Sequence, residues 1–282
     1  MVKDVILMIQ HIFSDLDGTL LNAKGQLAST TRTAIQQLTV PLTLVSARAP
    51  FEMQPLIDQL HLTGPQIAFN GGLIFEYHHD QLMTLQDHPI AKYVAASLLT
   101  MLQHDFPAVS LSCYTANHWY TAKYDHGTRY EEQLTGQRAQ LLAYDRLLRR
   151  PATQLYKIMV MTRDEALMNS LVDRLWAMYL PNMTATMPGR YYLEITSDRA
   201  TKANGIQFIQ QQHQLATDDI LAIGNAENDL SMLQLAGQTV VMTNVETNID
   251  PGNHRAVPNT REQNISAVLQ PYTNKKCLTS RG

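Results

Sequence analysis

The sequence predicts an α/β fold, in which a parallel-sheet core is interrupted by an inserted α+β domain. Short β-prone runs alternate with helical stretches in the first part of the chain and again from Lys202 onward. This alternation is typical of a parallel sheet covered by helices on both faces. The part between them is richer in His, Tyr, Gln and Met, and longer helices separate its strands. We therefore predict a discontinuous core over residues 1–82 and 188–282, with the inserted domain over residues 83–187.

The first core segment is predicted to contain four strands and two helices. Ser29 opens the first helix with a hydroxyl group that suits a helix cap, and Pro50 occupies a first-turn position of the second. Asn70, Gly71 and Gly72 form a candidate hairpin turn. The predicted order is strand Val5–Phe13, helix Ser29–Leu38, strand Leu42–Val45, helix Pro50–Leu60, strand Ile67–Phe69 and strand Leu73–Tyr77.

The insert is predicted to combine strands with longer helices, after which the α/β alternation resumes. The insert contains helices Ala91–His104 and Arg163–Leu180 and strands Val109–Cys113, Trp119–Ala122 and Tyr156–Met161. The second core segment is predicted to contain strand Tyr191–Thr196, helix Lys202–His213, strand Ile220–Ile223, helix Asp229–Ala236 and strand Thr239–Met242.

Composition favours a cytoplasmic protein that binds neither nucleic acid nor a membrane. The 282 residues carry a formal net charge of -3, so the sequence indicates no basic surface for nucleic acid. No apolar run approaches the roughly 20 residues that span a bilayer. Cys113 and Cys277 suggest neither a disulfide framework nor a metal cluster, which fits a reducing compartment. Met1 and Met8 are both candidate first residues.

The most specific motif is the string HIFSDLDGTLL, which ends at Leu21. Asp15 and Asp17 follow an apolar, β-prone stretch, and side chains two residues apart on a strand point the same way. Gly18 then allows a sharp turn. Two such carboxylates can bind a divalent cation, or divide into a nucleophile and a general acid/base. Taken alone, Asp15 to Gly18 is equally compatible with an acidic turn that has no catalytic role.

This string resembles the first motif of the haloacid dehalogenase superfamily of phosphotransferases, and further motifs follow in the family's order. The resemblance covers essentially the whole chain and points to the Cof-type branch, which has a Rossmann-like core and a large C2-type cap domain. It implies that Asp15 is the nucleophile and Asp17 the general acid/base. It also implies a Mg²⁺ ion bound by Asp15, the backbone carbonyl of Asp17 and the first acid of the fourth motif.

Ser46, Ala47 and Arg48 follow a predicted strand and resemble the second motif, in which a Ser or Thr binds the transferred phosphoryl group. A hydroxyl and the N–H groups of a helix start suit a phosphate, although the same residues also make an ordinary helix cap. Ala47 replaces the usual Gly, whereas Arg48 is retained. Asn70 and Gly71 resemble a turn beside the family's active site, and a plain hairpin turn also accounts for them.

Lys202 resembles the Lys of the third motif, which implies that it neutralises the nucleophile and the phosphate. A cation that opens a helix opposes the helix dipole, so this unfavourable position itself hints at a specific role. Arg199 is a competing candidate for the same charge, and Ala203 replaces the Gly that usually follows.

The fourth motif contains the most consequential departure from the family, because Asn225 stands where the family has an Asp ligand. An amide offers only a neutral oxygen, whereas Mg²⁺ favours carboxylates. We therefore expect a metal site that is weakened or that needs high Mg²⁺. Glu227 or Asp229 could supply charge through water, while Asn228 is a candidate substrate ligand. The expected metal site consists of Asp15, Asp17, Asn225 and Asp229.

The resemblance implies Mg²⁺-dependent hydrolysis of small phosphorylated metabolites, such as sugar or cofactor phosphates, through an aspartyl phosphate on Asp15. Two alternatives stay open. The chain could bind a phosphorylated ligand without hydrolysing it, which the substitution by Asn225 favours. It could also be a phosphomutase that passes the phosphoryl group to a second hydroxyl.

Overall fold

The computed structural model describes four stretches of the chain, namely residues 9–22, 24–243, 255–258 and 264–273. The chain divides into two compact units. The core unit comprises residues 1–47, 55–86 and 201–282, and the insert unit comprises residues 48–54 and 87–200. The predicted fold class is confirmed, since the core is a parallel α/β sheet and the insert is a mixed α+β domain.

The strands and helices of the described stretches are numbered in chain order. The strands are β1 His11–Ser14, β2 Leu42–Leu44, β3 Gln66–Ala68, β4 Leu73–His78, β5 Gln81–Asp87, β6 Ser110–Tyr114, β7 Trp119–Thr121, β8 Gln140–Leu141, β9 Lys157–Met161, β10 Met183–Gly189, β11 Tyr192–Ser197, β12 Ile220–Gly224, β13 Gln238–Thr243 and β14 Arg255–Pro258. The helices are α1 Ser29–Gln36, α2 Pro50–Leu60, α3 Lys92–Asp105, α4 His126–Thr135, α5 Tyr144–Arg149, α6 Glu165–Ala177, α7 Lys202–Gln212, α8 Leu230–Leu233 and α9 Asn264–Leu269.

In the described part of the core unit, five parallel strands form a sheet with the order β14-β13-β12-β1-β2. β1 lies inside this sheet and pairs with β12 on one side and β2 on the other. Its residues Ile12 and Phe13 are fully buried, as expected for a strand of a parallel sheet that is covered on both faces. The carboxyl ends of these three neighbouring strands lie at one edge, where polar motif residues follow each of them.

β3 and β4 form the predicted antiparallel hairpin, with Ile67 opposite Ile74. The connection is a 3-10 turn over Phe69–Gly71, in which three successive residues have φ angles of 51°, 54° and 97°. Gly71 carries the largest of these angles and is the residue type that adopts it with least strain.

The insert unit is built on a six-stranded sheet with the order β10-β11-β9-β6-β7-β8. Residues alternate between its two faces, and one face presents Leu111, Ile158 and Leu193 to an apolar cluster. α3 and α6 contribute Leu98 and Leu171 to the same cluster. These five side chains are at most 5% exposed, so the insert has a hydrophobic core of its own.

The boundary predicted at residues 187 and 188 lies too early in the chain. β11 was assigned to the core, but it pairs with β9 and β10 in the insert sheet. The insert unit therefore continues to Ala200, and α7 is the first element after it. The physical reason is that an isolated β-prone run carries no mark of the partner strand with which it will pair.

Other predicted details also differ. Ser29 is the first residue of α1, but Ala28 is the N-cap and no side-chain hydrogen bond caps this helix. The helix predicted over Asp229–Ala236 is shorter, because a 3-10 turn over Glu227–Asp229 precedes the four-residue α8. The segments β5, α4, β8, α5, β10, β14 and α9 were not predicted.

Several expectations fall on residues outside the described stretches. Met1, Met8 and Cys277 belong to this group, as does the first part of the strand predicted from Val5. Cys113 is described and is a buried free thiol. Among the residues that the structure describes, no helix is both long enough and apolar enough to cross a bilayer.

Candidate active site

Motif residues from four segments of the core unit converge at the carboxyl edge of its sheet. Asp15 follows β1, Ser46 follows β2 and Asn225 follows β12. Lys202 is the first residue of α7, which Thr201 caps by accepting a hydrogen bond from the backbone N–H of Asn204 at 3.2 Å. The convergence follows from the parallel strand order, which places the ends of β1, β2 and β12 side by side.

Lys202 joins two acidic side chains of this edge. Its Nζ donates to Oδ1 of Asp15 at 2.6 Å and to Oδ1 of Asp229 at 2.6 Å. The Lys202 side chain is 0% exposed, compared with 9% for Asp15 and 0% for Asp229. The competing candidate Arg199 is exposed and belongs to the insert unit. Lys202 is therefore the cation that contacts the predicted nucleophile.

Asp229 is held on both of its carboxylate oxygens. Oδ1 accepts from Lys202, while Oδ2 accepts from the backbone N–H groups of Asn225 at 2.7 Å and of Ala226 at 2.9 Å. A Cβ at Gly224 would lie 2.6 Å from the Cβ of Asp229, so glycine permits this close approach. The arrangement makes Asp229 an anchor for Lys202, and its role at a metal site stays a prediction.

The pKa values of the buried pair reflect its surroundings. Burial raises the pKa of Asp15 to about 7, against the opposing effect of the Lys202 charge. Burial alone would lower the pKa of Lys202, but the charges of Asp15 and Asp229 and the hydrogen bonds to them outweigh it and raise that pKa. Lys202 thus stays protonated, and its charge favours the ionised carboxylate that nucleophilic attack requires.

Asp15 and Asp17 differ in their environments. β1 ends at Ser14, so both acids lie in the segment that directly follows the strand. Asp15 is buried whereas Asp17 is exposed. The chain turns after them at Gly18, where φ is 79°. Two carboxyl groups in such different environments are suited to different chemical roles.

Asn225 brings its amide between the two acids of the first motif. One terminal atom of that amide lies 3.1 Å from the backbone carbonyl oxygen of Asp17 and 3.3 Å from Oδ2 of Asp15. The same atom is 2.9 Å from Oγ1 of Thr19. Thr19 was not assigned a role from the sequence, although it belongs to the first motif string. It is 1% exposed.

The three groups that the family resemblance assigns to Mg²⁺ are thus close together. Neighbouring ligands of an octahedral Mg²⁺ ion lie about 3 Å apart, because each metal–oxygen bond is 2.0–2.1 Å long. An Asn225 amide oxygen in this position is therefore spaced from the Asp15 carboxylate and from the Asp17 carbonyl as neighbouring Mg²⁺ ligands are, with a single carboxylate among the three groups. Among the described residues, no group of three His, Cys, Asp or Glu side chains is arranged to hold a metal ion.

Of the predicted substrate ligands, Arg48 belongs to the insert unit and the others belong to the core unit. Ser46 and Asn70 are adjacent, because the Asn70 backbone N–H donates to the Ser46 carbonyl at 2.8 Å. Asn228 joins them through its amide, which donates to Oδ1 of Asn70 at 3.3 Å. Ala47 is the last residue of its core segment, whereas Arg48 is assigned to the insert unit.

Gly71 acts at this site through its backbone. A Cβ at Gly71 would lie 2.0 Å from the carbonyl oxygen of Thr201, the N-cap of the helix that begins with Lys202. The turn and the helix start are therefore in direct backbone contact. The Asn-Gly pair in the sequence indicated a turn, but nothing in it indicated which helix the turn would meet.

Comparison with known sequences gives a consistent family assignment. The family model described as haloacid dehalogenase-like hydrolase matches residues 12–269. A Cronobacter sakazakii protein named HMP-PP phosphatase is 28% identical over 235 residues, covering 82% of this chain and 82% of its own. A Bacillus subtilis protein named 5-amino-6-(5-phospho-D-ribitylamino)uracil phosphatase is 25% identical over 257 residues, covering 82% of this chain and 86% of its own.

Solved structures show the same fold. A protein of Thermotoga maritima matches with a TM-score of 0.83 at 19% sequence identity, covering 95% of this chain and 98% of its own. A haloacid dehalogenase-like hydrolase of Bacteroides thetaiotaomicron matches with a TM-score of 0.82 at 20% sequence identity, covering 93% of this chain and 99% of its own.

Proposed function

Because the chain belongs to the haloacid dehalogenase-like hydrolases, of the Cof type, we propose that it is a phosphatase that hydrolyses phosphate monoesters of small metabolites. The observation that carries the proposal is the contact between Asp15 and Lys202, which is anchored in turn by Asp229. A buried carboxylate held beside a fixed ammonium group, at the sheet edge where such folds bind ligands, is suited to accept a phosphoryl group.

The proposed reaction has two steps. In the first, Asp15 attacks the phosphorus atom and forms an aspartyl phosphate, while the carboxylic acid of Asp17 protonates the leaving oxygen. In the second, the Asp17 carboxylate removes a proton from water, which attacks the phosphorus and releases inorganic phosphate. The exposure of Asp17 supports this role, because it must exchange protons with the leaving group and with water.

Other residues would hold the phosphoryl oxygens and offset their charge. Lys202 lies against Asp15 at 2.6 Å, so the phosphorus must approach beside its ammonium group. The Ser46 hydroxyl and the Asn70 and Asn228 amides are the proposed substrate ligands, together with Ala47, Arg48 and Gly71. A Mg²⁺ ion bound by Asp15, the Asp17 carbonyl and Asn225 would lower the charge repulsion between nucleophile and phosphate.

The proposed substrates follow from the relatives. Two of them are named as phosphatases of HMP-PP and of a phosphorylated ribitylaminouracil, which are small phosphorylated metabolites. The shared family and the intact Asp15, Asp17 and Lys202 support the same class of substrate here.

A second candidate function is binding of a phosphorylated ligand without turnover. Asn225 favours it, because an amide in place of a carboxylate removes one negative charge from the metal ligands. The intact pair of Asp15 and Lys202 favours hydrolysis.

The test is phosphate release from a panel of sugar and cofactor phosphates over a range of Mg²⁺ concentrations. We expect release that requires Mg²⁺ and falls at least about a thousandfold in Asp15→Asn. Asp58→Asn removes an exposed carboxylate of α2 and serves as the matched control with wild-type activity. Phosphate release that persists in Asp15→Asn would contradict the mechanism, and tight ligand binding without release would favour the second candidate.

A further inference from the structure

The Asn225 amide lies against the other two groups that the family resemblance assigns to Mg²⁺, the Asp15 carboxylate and the Asp17 carbonyl. We propose that in the metal-free protein Asn225 turns its NH₂ group toward these two groups and donates hydrogen bonds to Oδ2 of Asp15 and to the backbone carbonyl of Asp17. The NH₂ group thereby satisfies both oxygens until Mg²⁺ binds and the amide turns its own oxygen toward the ion. The inference rests on the proposed function only in naming Mg²⁺ as the competing cation.

The neighbouring atoms argue for nitrogen in this position. The two nearest oxygens are the Asp17 carbonyl at 3.1 Å and Oδ2 of Asp15 at 3.3 Å. When Asp15 is ionised, neither carries a hydrogen, so both can accept hydrogen bonds but cannot donate them. An amide oxygen there would receive one hydrogen bond, from the Thr19 hydroxyl at 2.9 Å, and would face two other acceptors. An NH₂ group offers two hydrogens to the same surroundings. Asn225 is 7% exposed, so an unsatisfied polar contact would be costly.

The side chain is confined in this position. A Cβ at Gly18 would lie 2.4 Å from the other terminal atom of the amide, so the turn after Asp17 packs closely against Asn225. The backbone N–H of Asn225 is held by Asp229 at 2.7 Å. The amide has little room to leave the site, but a half-turn about its last bond exchanges nitrogen and oxygen without changing its shape.

Asparagine at position 225 can therefore make favourable contacts both with Mg²⁺ bound and without it, whereas aspartate can do so only with Mg²⁺ bound. With its oxygen turned inward, Asn225 completes a set of oxygens at the spacing of Mg²⁺ ligands. With its nitrogen turned inward, it satisfies the same oxygens without a metal. An aspartate at 225 has no hydrogen to donate, and its charge would repel Asp15 until a cation binds. Asparagine thus weakens Mg²⁺ binding both by removing a charge and by stabilising the metal-free state.

The experiment follows thermal unfolding and calorimetric Mg²⁺ titration of the full chain without any substrate. The variants are Asn225→Asp and, as a control that adds the same charge on the exposed surface of α6, Asn169→Asp. We expect Asn225→Asp to have a lower melting temperature than the wild type in EDTA. Its melting temperature should increase at a Mg²⁺ concentration at least about tenfold lower than the one the wild type needs. Asn169→Asp should keep the Mg²⁺ response of the wild type.

A second variant keeps the test informative if Asn225→Asp does not fold. Asn225→Ala removes both the donor and the ligand, so it should melt below the wild type in EDTA and show no Mg²⁺ response. Equal melting of wild type and Asn225→Ala in EDTA would overturn the inference. The inference would also be overturned if the wild type and Asn225→Asp bound Mg²⁺ with equal affinity, or if neither protein responded to Mg²⁺. Because no substrate is present, failure of the proposed phosphatase activity would leave these results unchanged.

Discussion

His11 illustrates how a single polar residue is accommodated inside the parallel sheet. It is 2% exposed, and its Nε2 is 2.9 Å from Oγ1 of Thr43. The Thr43 hydroxyl donates to the carbonyl of Pro65 at 2.9 Å, so Nε2 of His11 is the donor in their contact. Burial, with a smaller effect of the nearby His213, lowers the pKa of His11 to about 4. His11 is therefore neutral in the folded protein.

The first prediction is that His11 destabilises the fold in mild acid. Its ordinary pKa is about 6.5, so below that pH the unfolded chain binds a proton that the folded chain excludes until about pH 4. The free energy of unfolding therefore falls as the pH drops through this window, by about 2 kcal/mol at pH 5. Urea unfolding at pH 7 and pH 5 measures this loss, which should be absent in His11→Gln. An equal loss in both proteins would show that His11 does not titrate on unfolding.

At the scale of elements, the turn after β3 meets the start of α7. Phe69, Asn70 and Gly71 all have positive φ angles, and a Cβ on Gly71 would meet the backbone of Thr201. Because Lys202 follows Thr201 directly, this contact fixes the start of the helix that presents the lysine to Asp15. Glycine is required here for two reasons, the backbone angle and the close approach.

The second prediction is that Gly71→Ala destabilises the protein by about 3 kcal/mol or more, because strain at positive φ adds to a clash with backbone that cannot move aside. Gly136→Ala is the matched control, since Gly136 has φ of 70° at the end of α4 and nothing lies within 4 Å of its missing Cβ. Gly136→Ala should lower the free energy of unfolding by about 1–2 kcal/mol. Urea unfolding of both variants measures the difference, and equal costs would contradict the close contact.

On the scale of the whole molecule, each unit has its own apolar core. The core unit buries Phe13, Ile67 and Ile209 in one cluster, and the insert unit buries Leu98 and Leu171 in another. Each cluster brings together elements from its own unit, so each unit can lose structure locally.

The third prediction concerns these two cores. Leu171→Ala and Ile209→Ala each remove a side chain that is 0% exposed and should cost about 2–5 kcal/mol. Hydrogen exchange followed by mass spectrometry should show faster exchange within residues 87–200 for Leu171→Ala, and within the core unit for Ile209→Ala. Faster exchange across both units in either variant would mean that they unfold together.

Much of the architecture was predictable because its signals are local. The strand at Ile220, the helix beginning at Pro50 and the hairpin around Asn70 are all present near the predicted positions. Each depends on side-chain periodicity or on a turn residue within a few positions. β11 was assigned to the wrong unit because strand pairing depends on distant residues.

By itself, the sequence determined the family, the α/β class and the residues that converge at the sheet edge, because these follow from local patterns and the order of motifs. Only the tertiary structure decided that Lys202 bridges Asp15 and Asp229, and that the Asn225 amide lies between Asp15 and the Asp17 carbonyl. The physical reason is that hydrogen bonds between residues 27, 187 or 206 positions apart in the chain depend on packing, which leaves no trace in residue spacing.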